Sequence, residues 1–279
     1  MTTASNNKIN TSRRSGLMTL AAVASSVASP LLCTRASAQA VVSSSKTFIL
    51  LPPAWAGSWI YRQSAAWLRA QGHLVYTPTL TGLGERSHLL RADTDLDTHI
   101  NDVINLIKWE ELKDVVLVGH SFTGGVVSGV AEKALDKLSA VVFVNAYLHE
   151  DGKAIQDYLS PRSHSDIDAR ISKGEFGLPN PPAAFYSLPQ KEWARIDSLH
   201  TPHPLGAIAQ KLKLTGAMEK VPKKTYIMLA KFARGREYEL KHYNRVKDQP
   251  GWNTVSVEMG HLPMVDDPIA FAKLILTAA

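Results

Sequence analysis

Residues Val115 to Gly124 read Val-Val-Leu-Val-Gly-His-Ser-Phe-Thr-Gly, and this stretch constrains the fold more than any other. Four apolar residues, three of them β-branched, make a short buried strand. Gly119-His120-Ser121 then turns, and the small-residue run Gly124-Gly125-Val126-Val127-Ser128-Gly129-Val130-Ala131 begins a helix. A serine at a strand-to-helix corner is pushed clear of the sheet on a strained backbone that needs small neighbours. The helix behind it offers free N–H groups and the positive end of its dipole, both suited to a developing oxyanion.

The first forty residues read as an address. Ser12-Arg13-Arg14-Ser15-Gly16-Leu17-Met18 sets two arginines before an apolar run from Leu17 to Leu32, and Ala36-Ser37-Ala38 offers small residues for cleavage. We expect an export signal over residues 1–38, twin-arginine-like or Sec-type, and a bacterial protein that is periplasmic or secreted. Pro30 and several serines interrupt the run, which falls short of the ~20 apolar residues of a membrane span. Cys33 follows Leu31-Leu32 and lacks the small residue a lipoprotein signal needs before its cysteine, so no stable membrane anchor is expected. Lys8, Arg13, Arg14 and Arg35 are the charges before Gln39, so the formal net charge of +6 falls to +2 once these four cations are set aside. No basic block with interleaved aromatics recommends nucleic acid as a partner. The sole cysteine leaves with the signal, so the remaining chain relies on its core, with neither disulfide nor thiol nucleophile.

Strand and helix signals alternate through residues 39–279, which predicts one α/β domain with a mostly parallel sheet flanked by helices. Strands are expected at Thr47–Leu51, His73–Thr77, Val115–Val118, Ala140–Val144, Thr225–Leu229 and Asn253–Val257. Helices are expected near 59–71, 98–108, after the serine, and near 268–276. Between about 151 and 214 the rhythm breaks into a proline-rich stretch carrying Phe176, Phe185, Tyr186 and Trp193, expected to be a cap over the pocket.

A serine hydroxyl needs a base. Of ten histidines, His261 directly follows the last strand, at the edge where a parallel sheet gathers its site loops. His120 adjoins Ser121, should point away from it, and reads as structural. Oxyanion donors are expected from the Phe122 N–H and from the loop after the first strand, where Ala54 is the candidate because neither Pro52 nor Pro53 has an N–H.

The corner resembles the nucleophile elbow of the α/β-hydrolase superfamily, usually Gly-x-Ser-x-Gly. With Pro53-Ala54-Trp55-Ala56-Gly57-Ser58-Trp59, Thr77 to Arg86 and Gly260-His261, the whole chain after the signal resembles the compact branch of plant methylesterases, hydroxynitrile lyases and small bacterial esterases. That resemblance implies ester hydrolysis by serine and histidine, with no metal or cofactor and a small-molecule ester as partner. It says nothing of oligomeric state. Three departures stand out. Pro52-Pro53 replaces the usual His-Gly, so the loop must reach its shape by a rigid route. Thr123 replaces the second elbow glycine and is expected to crowd the turn and narrow the pocket floor. The positions where relatives carry the acid hold Phe232 and Asn145. Asn145 could orient His261 through its amide oxygen, as asparagine does in some cysteine proteases; Glu237, Glu150 and Asp151 are the other candidates. The readings are therefore a slow serine esterase on a small, mainly apolar ester, a hydroxynitrile lyase-like enzyme of carbon–carbon cleavage, or a decayed hydrolase fold kept for binding.

Overall fold

The computed structural model describes residues 45–279; the expected signal, residues 1–38, lies outside them. In chain order the elements are β1 (Thr47–Leu51), α1 (Arg62–Ala70), β2 (Leu74–Tyr76), α2 (Leu96–Trp109), β3 (Val115–His120), α3 (Gly124–Ala134) and β4 (Leu138–Val144). There follow α4 (Pro161–Ser172), β5 (Gly177–Leu178), α5 (Trp193–Leu199), β6 (His203–Pro204), α6 (Leu205–Ala209), β7 (Lys223–Leu229), α7 (Ala230–Ala233), α8 (Glu237–Val246), β8 (Trp252–Val257), α9 (Pro263–Asp266) and α10 (Pro268–Ala278).

Six strands form one parallel sheet in the order β2-β1-β3-β4-β7-β8. Alternation along each strand divides the core in two. Ile49, Leu51 and Leu117 point to the face covered by α2 and α3, where Ile100, Val103, Val126 and Val130 meet them. Phe48, Leu50, Val116 and Val118 point to the other face, under α1 and α10, with Leu68, Phe271 and Ile275. Each such fully buried aliphatic side chain contributes about 1.5–3 kcal/mol. The start of α2 is pinned by Asp95, whose carboxylate accepts the Thr98 N–H at 2.8 Å.

Residues 151–214 leave the sheet after β4 and return before β7. They carry α4, α5, α6 and an antiparallel ribbon of β5 with β6. Tyr186 is buried and Trp193 half-buried, whereas Phe176 and Phe185 remain partly exposed at 45% and 37%. Among the described residues no helix is long and apolar enough to cross a membrane.

Candidate active site

At the carboxyl end of β3 the chain reverses at Ser121, whose φ of 54° is left-handed, a conformation costly for any residue with a Cβ. Two glycines permit that reversal. A Cβ on Gly119 would meet Val127 Cγ2 and the Thr123 carbonyl, and one on Gly124 would overlap the Tyr147 backbone. Thr123, expected to narrow the pocket floor, instead lies fully buried beneath the corner. Its Oγ1 accepts the His120 N–H at 2.8 Å and directs its own proton between the carbonyls of His120 (2.9 Å) and Leu51 (3.3 Å). The hydroxyl supplies from a side chain the closure that makes this β-branched residue acceptable in the turn.

The loop after β1 lies beside this corner. Ala56 N–H donates back to the Pro53 carbonyl, and Trp55 takes a left-handed φ of 65°. Residues 77–86 brace the loop from outside: the Ser58 N–H donates to Thr79 Oγ1 at 2.7 Å, and a Cβ on Gly84 would press on Gly57 Cα. Ala54, Phe122, Ser121 and His261 all line one cavity of about 620 Å³, with Trp55, Tyr147, Ile208 and Phe232 among its apolar walls. Ser160, Arg162, Ser163 and Asn180 give it a polar end beside α4.

His261 follows β8 on a loop fixed by its own N–H, which donates to the Tyr186 carbonyl at 2.9 Å. Gly260 lets that close approach happen, because a Cβ there would stand 2.8 Å from the Ser187 carbonyl oxygen. The imidazole is buried among rings: Phe232 stacks on it at 4.1 Å between centroids, His120 lies at 4.8 Å and Tyr186 at 6.1 Å. His120 therefore turns toward His261, packing against the candidate base. Burial, and then the neighbouring His120 and Arg236, hold the His261 pKa well below the usual imidazole value.

The acid is where the structure departs most from expectation. His261 Nδ1 is buried without a hydrogen-bond partner among the described residues. Asn145 does not take that role: its Oδ1 accepts the Leu229 N–H at 3.3 Å, tying the end of β4 to the end of β7. Glu150 pairs with Arg245 at 2.7 Å, Asp151 accepts the Leu214 N–H at 2.8 Å, and both line a different cavity. The side chain of Glu237 lies outside the described residues. Phe232 stacks on the imidazole face, and the Arg236 guanidinium lies 4.0 Å from the Phe232 centroid, donating to the Phe232 carbonyl at 2.6 Å. This His261–Phe232–Arg236 stack has no signature in local sequence.

Residues 48–274 match the alpha/beta hydrolase family. A carbendazim hydrolyzing esterase from Nocardioides sp. (strain SG-4G) is 34% identical over 239 residues, covering 81% of this chain and 96% of that protein. Methyl jasmonate esterase 1 of Vitis vinifera is 25% identical over 245 residues, covering 80% and 92%. Among solved structures, an extracellular α/β-hydrolase from a Paenibacillus species superposes with a TM-score of 0.75 at 24% identity, covering 84% of this chain and 99% of that one, which shows a shared fold.

Proposed function

The chain belongs to the alpha/beta hydrolase family, in its esterase branch, and from that premise we propose that it is a serine carboxylesterase acting on a small, mainly apolar ester. One observation carries the reading. Ser121, on a left-handed corner, opens into the same cavity as His261 and the two residues, Ala54 and Phe122, whose N–H groups can receive an oxyanion.

In this reading His261 Nε2 takes the Ser121 proton as Oγ bonds to the ester carbonyl carbon. The N–H groups of Ala54 and Phe122 hold the resulting oxyanion, each worth about 3 kcal/mol of barrier. Collapse breaks the ester C–O bond, and the alcohol leaves with the proton returned by His261. Water then repeats the sequence on the acyl-serine. With no carboxylate on Nδ1 among the described residues, the imidazolium formed in each step is poorly stabilised, so turnover is slow. The mostly apolar cavity walls and the Nocardioides relative, named for hydrolysing carbendazim, support a compact, largely apolar substrate.

The test is turnover of p-nitrophenyl acetate and butyrate by the protein and by Ser121→Ala. Loss in the variant supports the assignment, and equal rates reject it. His261 Nδ1, which has no hydrogen-bond partner among the described residues, favours a second reading, binding without turnover. Covalent labelling of Ser121 by a fluorophosphonate rejects that second reading.

A further inference from the structure

His203, from the cap ribbon, sits directly behind the oxyanion loop. It is fully buried. Its Nδ1 accepts the Trp55 N–H at 3.3 Å, so its proton resides on Nε2. Its ring meets Phe122 edge-to-face, with centroids 4.1 Å apart and planes at 71°. One imidazole thus touches Phe122, the elbow residue bearing one oxyanion donor, and Trp55, the neighbour of Ala54 bearing the other. His99 stands behind it at 5.8 Å between centroids and donates through Nε2 to the Thr81 carbonyl at 2.8 Å. That bond leaves His99 Nδ1 as an unprotonated acceptor, and it and His203 Nε2 are both buried with no hydrogen-bond partner among the described residues.

The need for such a buttress follows from the loop's chemistry. Trp55 holds a left-handed backbone that its Cβ disfavours, so something outside the loop must maintain it. The Ala54 N–H belongs to the peptide that joins Pro53 to Ala54, and the Trp55 N–H to the next one. Proline rings fix the first end, since their φ is locked. The Ala56 N–H holds the Pro53 carbonyl at 3.4 Å and the Thr201 N–H holds the Trp55 carbonyl at 3.0 Å. The peptide between them is fixed by the Trp55 N–H bond to His203, and an N–H left there without an acceptor is strongly disfavoured.

We infer that His203 is the positioning residue of the oxyanion site, holding Ala54 N–H in place through Trp55 N–H and supporting Phe122 by contact. The inference rests on the esterase reading, and its role lies outside direct contact with substrate. Burial keeps the ring neutral, which leaves Nδ1 free to accept. His99 and residues 77–86 extend the same support outward, which gives that motif a function at the site.

The test compares His203→Phe, which keeps a ring and removes the acceptor, with His203→Asn, whose Oδ1 falls near the place of Nδ1. Both are assayed on p-nitrophenyl acetate, and amide hydrogen exchange at Trp55 is followed by NMR. In His203→Phe, kcat is expected to fall about tenfold to a hundredfold with KM within about twofold, because a displaced donor acts in the transition state. Trp55 exchange should accelerate, and His203→Asn should recover most of both. An unchanged kcat in His203→Phe overturns the inference. So does a folded His203→Asn as impaired as the Phe variant, which also decides the case if His203→Phe fails to fold. If the parent protein hydrolyses no ester, the functional reading fails by itself; unchanged Trp55 protection in His203→Phe would then separately refute the tether.

Discussion

Phe232→Asp would place an acid on the face of His261 that now carries a benzene ring. The ring is fully buried and 4.1 Å from the imidazole by centroid. Opposite unit charges at that separation attract by about 4 kcal/mol at an effective dielectric near 20, or about three decades in an equilibrium. Arg236 limits the gain. Its guanidinium lies 4.0 Å from the same ring, on the face His261 leaves open, and would pull on the new carboxylate with similar strength. The expected increase in kcat/KM is therefore about tenfold, rising toward about a hundredfold when Arg236→Gln is added. The pH profile gives a second readout. The base acts when neutral, and His261 is held well below its ordinary value, so the acid limb of the parent lies well below pH 6.5. A carboxylate favours the imidazolium and moves the limb upward. Removing the buried ring costs about 3–5 kcal/mol, or about 10 °C in Tm for a domain of this size. The assay is kcat/KM for p-nitrophenyl acetate from about pH 4 to about pH 9, beside a thermal melt. A folded Phe232→Asp with the parent's acid limb and the parent's rate would refute the argument.

Thr123→Val keeps the shape beneath the elbow and strands the buried His120 N–H, so the urea midpoint should fall by about 1–3 kcal/mol of stability at unchanged m, with Thr123→Ser losing less. His149 and His242 are buried neutral, with pKa values depressed to about 4 and about 3, chiefly by burial. The unfolded chain binds those protons first, so their stabilisation is complete above about pH 6.5 and is lost as pH falls toward 4 and 3, on the order of 3 kcal/mol for His149. Urea melts across that window should show the slope, and His242→Phe should flatten it. Fractionation of bacteria expressing the full chain should place it outside the cytoplasm, and Arg13→Lys with Arg14→Lys should retain it inside if the twin-arginine route is used; a wholly cytoplasmic parent chain would reject export.

The parallel sheet was readable because its strands are short apolar runs such as Val115–Val118 and Ala140–Val144, bounded by turn residues, and that signal is local. The strand-to-helix corner at Ser121 was readable for the same reason: small residues cluster around it. His261 could be singled out by its place after the last strand. The stack that Phe232 and Arg236 build beside it could not. Phe232 lies on α7 and Arg236 in the turn between α7 and α8; the resemblance marks Phe232 as an acid position, but no local pattern shows that its ring and the guanidinium stack beside the imidazole. Asn145 occupies a position where relatives carry an acid, but the backbone of β7 claims its amide oxygen. His203 is more distant still, 148 residues from the Trp55 N–H it accepts. Aromatic content in residues 151–214 signalled burial without saying which rings: Tyr186 goes inward while Phe176 and Phe185 stay partly exposed.

Trp55 is joined to the segment above it three times: its indole N–H reaches the Leu178 carbonyl, its carbonyl accepts from Thr201, and its N–H reaches His203. Grafting that segment from a relative, the usual way to borrow a new substrate preference, would import foreign anchors for a loop that stays behind. Chimeras that exchange residues 151–214 alone should emerge folded and feeble, while those that carry residues 52–59 along should inherit the donor's rate. On the esterase reading, residues 52–59 and 151–214 would be inherited as one block, and recombination between relatives would have to cut outside both.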